Sequence, residues 1–205
     1  MWRIPRLPRN GVVHSLIAFL LAMVMMYDVH AQQEFLSYED PRGRFTIQHA
    51  PDWQPHPAEN RFALAEVESL KTNTSSGQVP SLDIRIIPGI DEEDVEDLGL
   101  ERYMEGATKG LSSSVPNFRL EQGIECDTYY LSGNQACSII YSRTLGYASE
   151  FEYAVMQVIT AIGNNVYVLS YKGTVNDFDQ YLPVANQMIA SFKVPESSET
   201  MKTRT

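Results

Sequence analysis

Catalytic and cofactor signatures are absent from these 205 residues. There is no Gly-x-Ser-x-Gly around a nucleophile, no glycine-rich phosphate loop and no dinucleotide fingerprint. Histidine is scarce: of four, only His49 and His56 lie beyond residue 31, and neither sits in a recognisable catalytic setting. A triad can assemble from distant residues, but nothing in the order of these residues points to one. The chain therefore reads as a non-enzyme with no cofactor. Basic residues are also outnumbered, 16 Lys and Arg against 26 Asp and Glu, for a formal net charge of −10. An acidic surface repels nucleic acid and anionic lipid headgroups, which excludes both as partners. It suits solubility first, and cationic partners second.

Long hydrophobic runs are lacking too. The longest, Leu16 to Tyr27, falls short of the ~20 residues a membrane-crossing helix needs. Arg3, Arg6 and Arg9 precede it, and Val29-His30-Ala31 supplies a small residue for signal peptidase. This three-part layout predicts a secretory signal over residues 1–31, cut between Ala31 and Gln32. The alternative is an uncleaved anchor reaching back to Gly11, which brings in His14. No cysteine stands at the cleavage position, which argues against a bacterial lipoprotein. Removing residues 1–31 leaves 174 residues, enough for one domain with a real core. The removed segment carries net +2, so the remainder is at −12.

There are only two cysteines, Cys126 and Cys137, and no Cys-x-x-Cys. That spacing excludes a thioredoxin-type redox motif. In an oxidising compartment the pair is expected to form a disulfide. The residues between them read as strand, turn, strand. A turn centred on Leu131-Ser132 places the cysteines opposite each other; a Gly133-Asn134 turn shifts the register by two pairs and makes a bridge difficult. Asn73-Thr74-Ser75 is an N-glycosylation sequon in the polar stretch Lys71 to Val79, at about the frequency chance would give.

What is present is alternation. Phe35 to Tyr38, the turn Asp40-Pro-Arg-Gly43 and Arg44 to His49 form a hairpin signal, with Pro41 fixing φ and Gly43 accepting positive φ. Pro51, Pro55 and Pro57 around Trp53 predict an extended corner with an aromatic plug rather than an element interior. Arg61 to Leu70 is a third strand by the spacing of Phe62, Leu64 and Val67. Ser81 to Ile87 is another, with Leu82, Ile84 and Ile86 on one face.

Leu100, Tyr103, Met104, Ala107 and Leu111 share one helical face. The acids Asp91 to Asp97 before them suit a helix N-terminus and lack the alternating ligands and mid-loop glycine of an EF-hand. Phe118 to Tyr130 and Ala136 to Leu145 are the two arms around the cysteines. Glu150 to Ile162 and Val166 to Lys172 are apolar on both faces and predict central strands covered on both sides. Asn176 or Asp177 caps a last helix that buries Phe178, Tyr181, Leu182, Ala185, Met188, Ile189 and Phe192. Pro195 ends the domain, placed at 32–195, and 196–205 reads as a disordered tail. The order predicts an α+β fold, a mainly antiparallel β-sheet with helices packed on its faces.

At the level of ordered landmarks the chain resembles the PsbP-like family, named for an extrinsic subunit of photosystem II. The landmarks are Phe35…Tyr38-Glu39, Gly43 and Phe45 leading to Pro51-x-Trp53, then Gly133-Asn134-x-Ala136 with Ile140-Tyr141. Val166-Tyr167-x-Leu169-x-Tyr171, Phe178-Asp179-x-Tyr181-Leu182-Pro183 and Met188-Ile189-x-Ser191-Phe192 complete them. The resemblance implies an α/β/α sandwich and a non-enzymatic accessory role. Photosynthetic members dock on a membrane complex, and a related branch of the fold binds the GTPase Ran. The basic docking residues of the photosynthetic members have no clear counterpart in this acidic chain, and fold alone does not confer function.

Two further residue sets carry chemistry. His49, Asp52 and His56 are weak metal-ligand candidates: zinc or copper would need a convincing third ligand, and the prolines dictate the spacing. Tyr129, Tyr130, Tyr141, Tyr147, Tyr153, Tyr167, Tyr171 and Tyr181 are expected mainly to pack, with a subset lining an interaction face. The sequence thus predicts an exported accessory or interaction domain at the outer face of the cell membrane. It would meet a protein partner there, and would associate with the membrane only through that partner or an uncut signal. The alternative is an extracytoplasmic small-ligand or metal-binding carrier.

Overall fold

Leu36–Glu39 (β1) and Thr46–His49 (β2) pair antiparallel, with Leu36 opposite His49 and Tyr38 opposite Ile47, as the alternation across the Asp40–Gly43 turn requires. The computed structural model describes residues 34–58, 63–70, 77–89, 92–144 and 151–195, with backbone alone at 63 and 92–98. The expected cleavage point Ala31–Gln32, the sequon at Asn73, Tyr147 and the tail from 196 lie outside the described residues. From Phe35 onward the described elements belong to one compact unit.

The main sheet has seven strands: Trp53–Pro57 (β3), Ala63–Ser69 (β4), Ser81–Pro88 (β5), Arg119–Leu131 (β6), Asn134–Thr144 (β7), Glu152–Ile162 (β8) and Asn165–Thr174 (β9). Their order is β3-β4-β5-β9-β8-β7-β6, every neighbouring pair antiparallel. Helix Glu92–Ser114 (α1) carries the chain from β5 to the far edge, where β6 begins, and three hairpin steps bring β9 back beside β5.

The strands that are apolar on both faces, β8 and β9, sit inside the sheet and are covered on both sides. On one face Met156, Val158, Tyr167, Leu169 and Tyr171 meet Tyr181, Ala185, Met188 and Ile189 of helix Phe178–Ala190 (α2), together with Phe45 and Ile47 of the hairpin. On the other, Val155, Ile159, Val166 and Val168 join Ile139 and Tyr141 beneath Met104 of α1, flanked by Leu100, Tyr103 and Leu111. The predicted α1 face is the one observed. Its helix is interrupted at Gly99 (φ 76°, ψ 149°), a backbone conformation open essentially to glycine alone. The acids before Gly99 thus occupy their own helical turns ahead of the buried segment.

The structure departs from expectation at Trp53 and at Asp177. Trp53 is fully buried as an aromatic plug, but Trp53–Pro57 is a regular strand and not a corner. It forms the sheet edge, the one position where prolines that cannot donate to a ladder are tolerated. Asp177 stands at the N-cap of α2 yet gives no side-chain hydrogen bond to the helix; its Oδ2 instead accepts from the Thr174 hydroxyl at 2.7 Å.

The hairpin is tied to the end of α2. Ser191 Oγ accepts from Gln48 N (2.8 Å) and donates to Met188 O (2.6 Å), while Thr46 and Lys193 exchange backbone bonds of 2.8 and 2.9 Å. Phe45 and Phe192 stack beneath this joint, ring centres 5.6 Å apart.

Candidate functional site

Two regions bring chemistry-bearing side chains together. The first is the free edge formed by β6. Its turn is Ser132-Gly133, both at positive φ (53° and 81°), so neither of the two turns considered from sequence is the one formed. Glycine accepts this backbone freely, and two consecutive positive-φ residues define the two-residue turn that suits a twisted hairpin. Next to the turn Leu131 faces Asn134 and Tyr129 faces Ala136, a register that would leave the cysteines two pairs apart. Between Tyr129 and Glu125, however, β6 carries two more residues than β7, and Glu125 faces Ser138. That bulge brings Cys126 level with Cys137, and they form a disulfide with Cα atoms 3.9 Å apart.

The same edge displays Tyr130, 62% exposed, and Leu120, 45% exposed, among Glu121, Glu125 and Asp127. Arg119 anchors its start, donating from Nε to Glu121 Oε1 (2.7 Å) and lying 3.1 Å from Glu152 Oε1. The Arg119 hydrogen bond, then one from Ser142 Oγ, holds the Glu121 carboxyl below its ordinary range. Tyr130 is the exposed exception among the described tyrosines. Tyr141, Tyr153, Tyr167, Tyr171 and Tyr181 are buried. Tyr129 is half-buried and donates its hydroxyl to Asn186 Oδ1 at 2.9 Å. Tyr171 donates to Phe178 O at 2.9 Å, and burial raises its phenol strongly.

The second region lies on the α1 side of the sheet, toward β4 and β5. Side chains alternate between faces along a strand, and Leu82, Ile84 and Val67 face α2. Ser81, Asp83, Glu66 and Glu68 therefore face the other way, as do Ser170 and Lys172 of β9 and Gln157 of β8. The register sets them in two cross-strand rows: Glu66, Asp83, Ser170, Gln157, and beside it Glu68, Ser81, Lys172. Arg85 Nη2 lies 3.5 Å from Asp83 Oδ2. Burial first, and the charge of Asp83 second, push the Glu66 carboxyl up, with Lys172 pulling the other way. Ser81 and Ser170 are 1% and 6% exposed, and their hydroxyls have no hydrogen-bond partner.

The metal candidates from sequence do not converge into this region. His49 is buried on β2 with Nδ1 3.0 Å from Ala50 O, His56 is exposed on the edge strand β3, and Asp52 lies in the turn between them. Among the described residues no group of three or more His, Cys, Asp or Glu is placed to hold a metal ion. The polar rows were missed from sequence because each strand was read for its apolar face. The signal was there in Glu66-x-Glu68 and Ser81-x-Asp83, and in the polar Ser170 inside an otherwise apolar strand.

No protein-family model and no curated protein matches the sequence. Solved structures do. The cyanobacterial PsbP (CyanoP) from Synechocystis sp. PCC 6803 superposes with a TM-score of 0.54 at 11% identity, over 82% of this chain and 96% of that one. LpqN, involved in cell envelope biogenesis of Mycobacterium tuberculosis, gives 0.52 at 13% identity, over 84% and 97%. The Ran-binding protein Mog1p of Saccharomyces cerevisiae gives 0.51 at 9% identity, over 80% and 96%. At such identities the likeness is one of fold, and the chain has the PsbP-like α+β fold that the landmarks in its sequence anticipated.

Proposed function

We propose that this chain, a PsbP-like domain, is an exported, non-enzymatic accessory module that binds a protein partner at the outer face of the cell membrane. The observation that carries this reading is the disulfide-closed edge hairpin. A Cys126–Cys137 bond persists in an oxidising compartment, which agrees with the basic, apolar and small-residue layout of residues 1–31. On the same hairpin Tyr130, of a residue type enriched at protein interfaces, is exposed on a free strand edge that offers its backbone to a partner strand. Proteins of the same fold include one named for Ran binding and one involved in cell envelope biogenesis, which is compatible with a protein-binding use of the scaffold here.

The test is mild crosslinking in the native cells, followed by capture of the tagged chain from separated compartments and mass spectrometry. A recurrent stoichiometric partner outside the cytoplasm, lost in Tyr130→Ser, is expected. Recovery of the chain in the cytoplasm with free thiols, or as a bare monomer from every membrane preparation, overturns the reading.

A further inference from the structure

The polar rows on the α1 side of the sheet are built in a way that packing alone does not explain. Leaving a buried hydroxyl unpaired destabilises the fold, and Ser81 and Ser170 are both left so in adjacent rows. They flank Asp83, which lies directly opposite Glu66 on the neighbouring strand. Like-charged side chains so placed destabilise a sheet; both are half-buried, and a hydrogen bond between the two carboxyls, with the proton on Glu66, relieves the repulsion. The formal charge of the group, three carboxylates (Glu66, Glu68, Asp83) against Lys172 and Arg85, is −1. The region therefore presents more oxygen acceptors than it has donors, and with every carboxyl ionised it lacks one positive charge, which the proton favoured on Glu66 otherwise supplies.

We propose that Glu66, Asp83, Ser81 and Ser170 form a binding site for the primary ammonium group of a small amine. An ammonium is a compact cation with three N–H donors. Two carboxyls and two hydroxyls, all oxygen, give it a full set of acceptors, and its single charge brings the local sum to zero. A hard divalent cation asks for more, six to eight oxygens for calcium, and these rows hold too few carboxylates in one place. Lys172, beside Ser81 in the register, limits the site to one added charge. On binding, the proton favoured at Glu66 leaves to solvent, and the ammonium takes its place between the two carboxyls. This site lies apart from the edge hairpin and does not depend on a protein partner.

Calorimetric titration of the purified full chain with ethanolamine and with propylamine tests the proposal, each run in two buffers of different ionisation enthalpy. Saturable binding with release of a fraction of a proton is expected. Affinity should fall at least tenfold in Glu66→Gln and several-fold in Ser170→Ala. Tetramethylammonium, which carries the charge without N–H donors, should not compete. Absence of saturable heat with both amines overturns the proposal, as does equal binding of tetramethylammonium. Calcium binding abolished by Glu66→Gln would overturn it in favour of a metal site. Should Glu66→Gln fail to fold, by near-ultraviolet circular dichroism, Asp83→Asn carries the same comparison.

Discussion

Arg44 grips Asp40 at two points, Nε to Oδ2 at 2.8 Å and Nη2 to Oδ1 at 2.7 Å, across the first turn of the domain. The same carboxylate accepts the backbone N–H groups of Arg42 and Arg44, and Gly43 N closes onto Asp40 O at 2.7 Å. Asp40 is 2% exposed, so a buried charge is fully occupied by donors. This turn sets the hairpin whose Phe45 and Ile47 enter the core beside α2.

Replacing Asp40 tests that arrangement. The side-chain hydrogen bond from Arg44 is the main cause holding the Asp40 carboxyl below its ordinary value. A carboxyl lowered in the folded state stabilises above its unfolded pKa, and the stabilisation fades as pH falls through the lowered folded value. Asp40→Asn should therefore lose about 1.5–3 kcal/mol at neutral pH. The gap to the parent should close in acid, as read by urea unfolding at stepped pH.

Glu66 carries the opposite sign. Its folded pKa is raised, chiefly by burial and then by Asp83, so its contribution is greatest at low pH and is lost as pH rises through the folded value. Glu66→Gln should become progressively more stable relative to the parent as pH rises from about 4, the ordinary range of a glutamate. A stability difference independent of pH would show that the two carboxyls do not interact.

The disulfide fixes a bulged register that the Ser132-Gly133 turn does not impose. Cys126→Ser with Cys137→Ser should cost about 2–3 kcal/mol, as expected for closing so short a loop. Amide hydrogen exchange should rise first at β6, the free edge, and last at β8 and β9.

Trp53 anchors edge strand β3 to the core, its ring edge-on to Tyr181 with centres 6.5 Å apart. Trp53→Ala should lower stability by about 3–5 kcal/mol. Tyr130→Ser, on the exposed edge, should change stability by no more than about 0.5 kcal/mol, which makes it a clean probe of partner capture. Thermal unfolding of the two variants side by side checks both.

The sequence by itself determined most of the strands and both helices, β3 excepted, and which faces they bury. Leu82 and Ile84, the doubly apolar β8 and β9, and the Met104 and Met188 faces of the helices follow from periodicity, because burial of apolar surface acts through the spacing of side chains along one element. The pairing of Cys126 with Cys137 was legible only as a choice between two turns. Tertiary structure decided it through a third turn and a two-residue bulge, since register depends on both strands of a ladder at once. The same reason hid the polar rows. Glu66 and Asp83 meet across β4 and β5, and only the antiparallel return of β9 to β5 brings the distant Ser170 beside them. Proline at 55 and 57 argued against a strand until the sheet order placed β3 at an edge, where the missing N–H has no partner to fail.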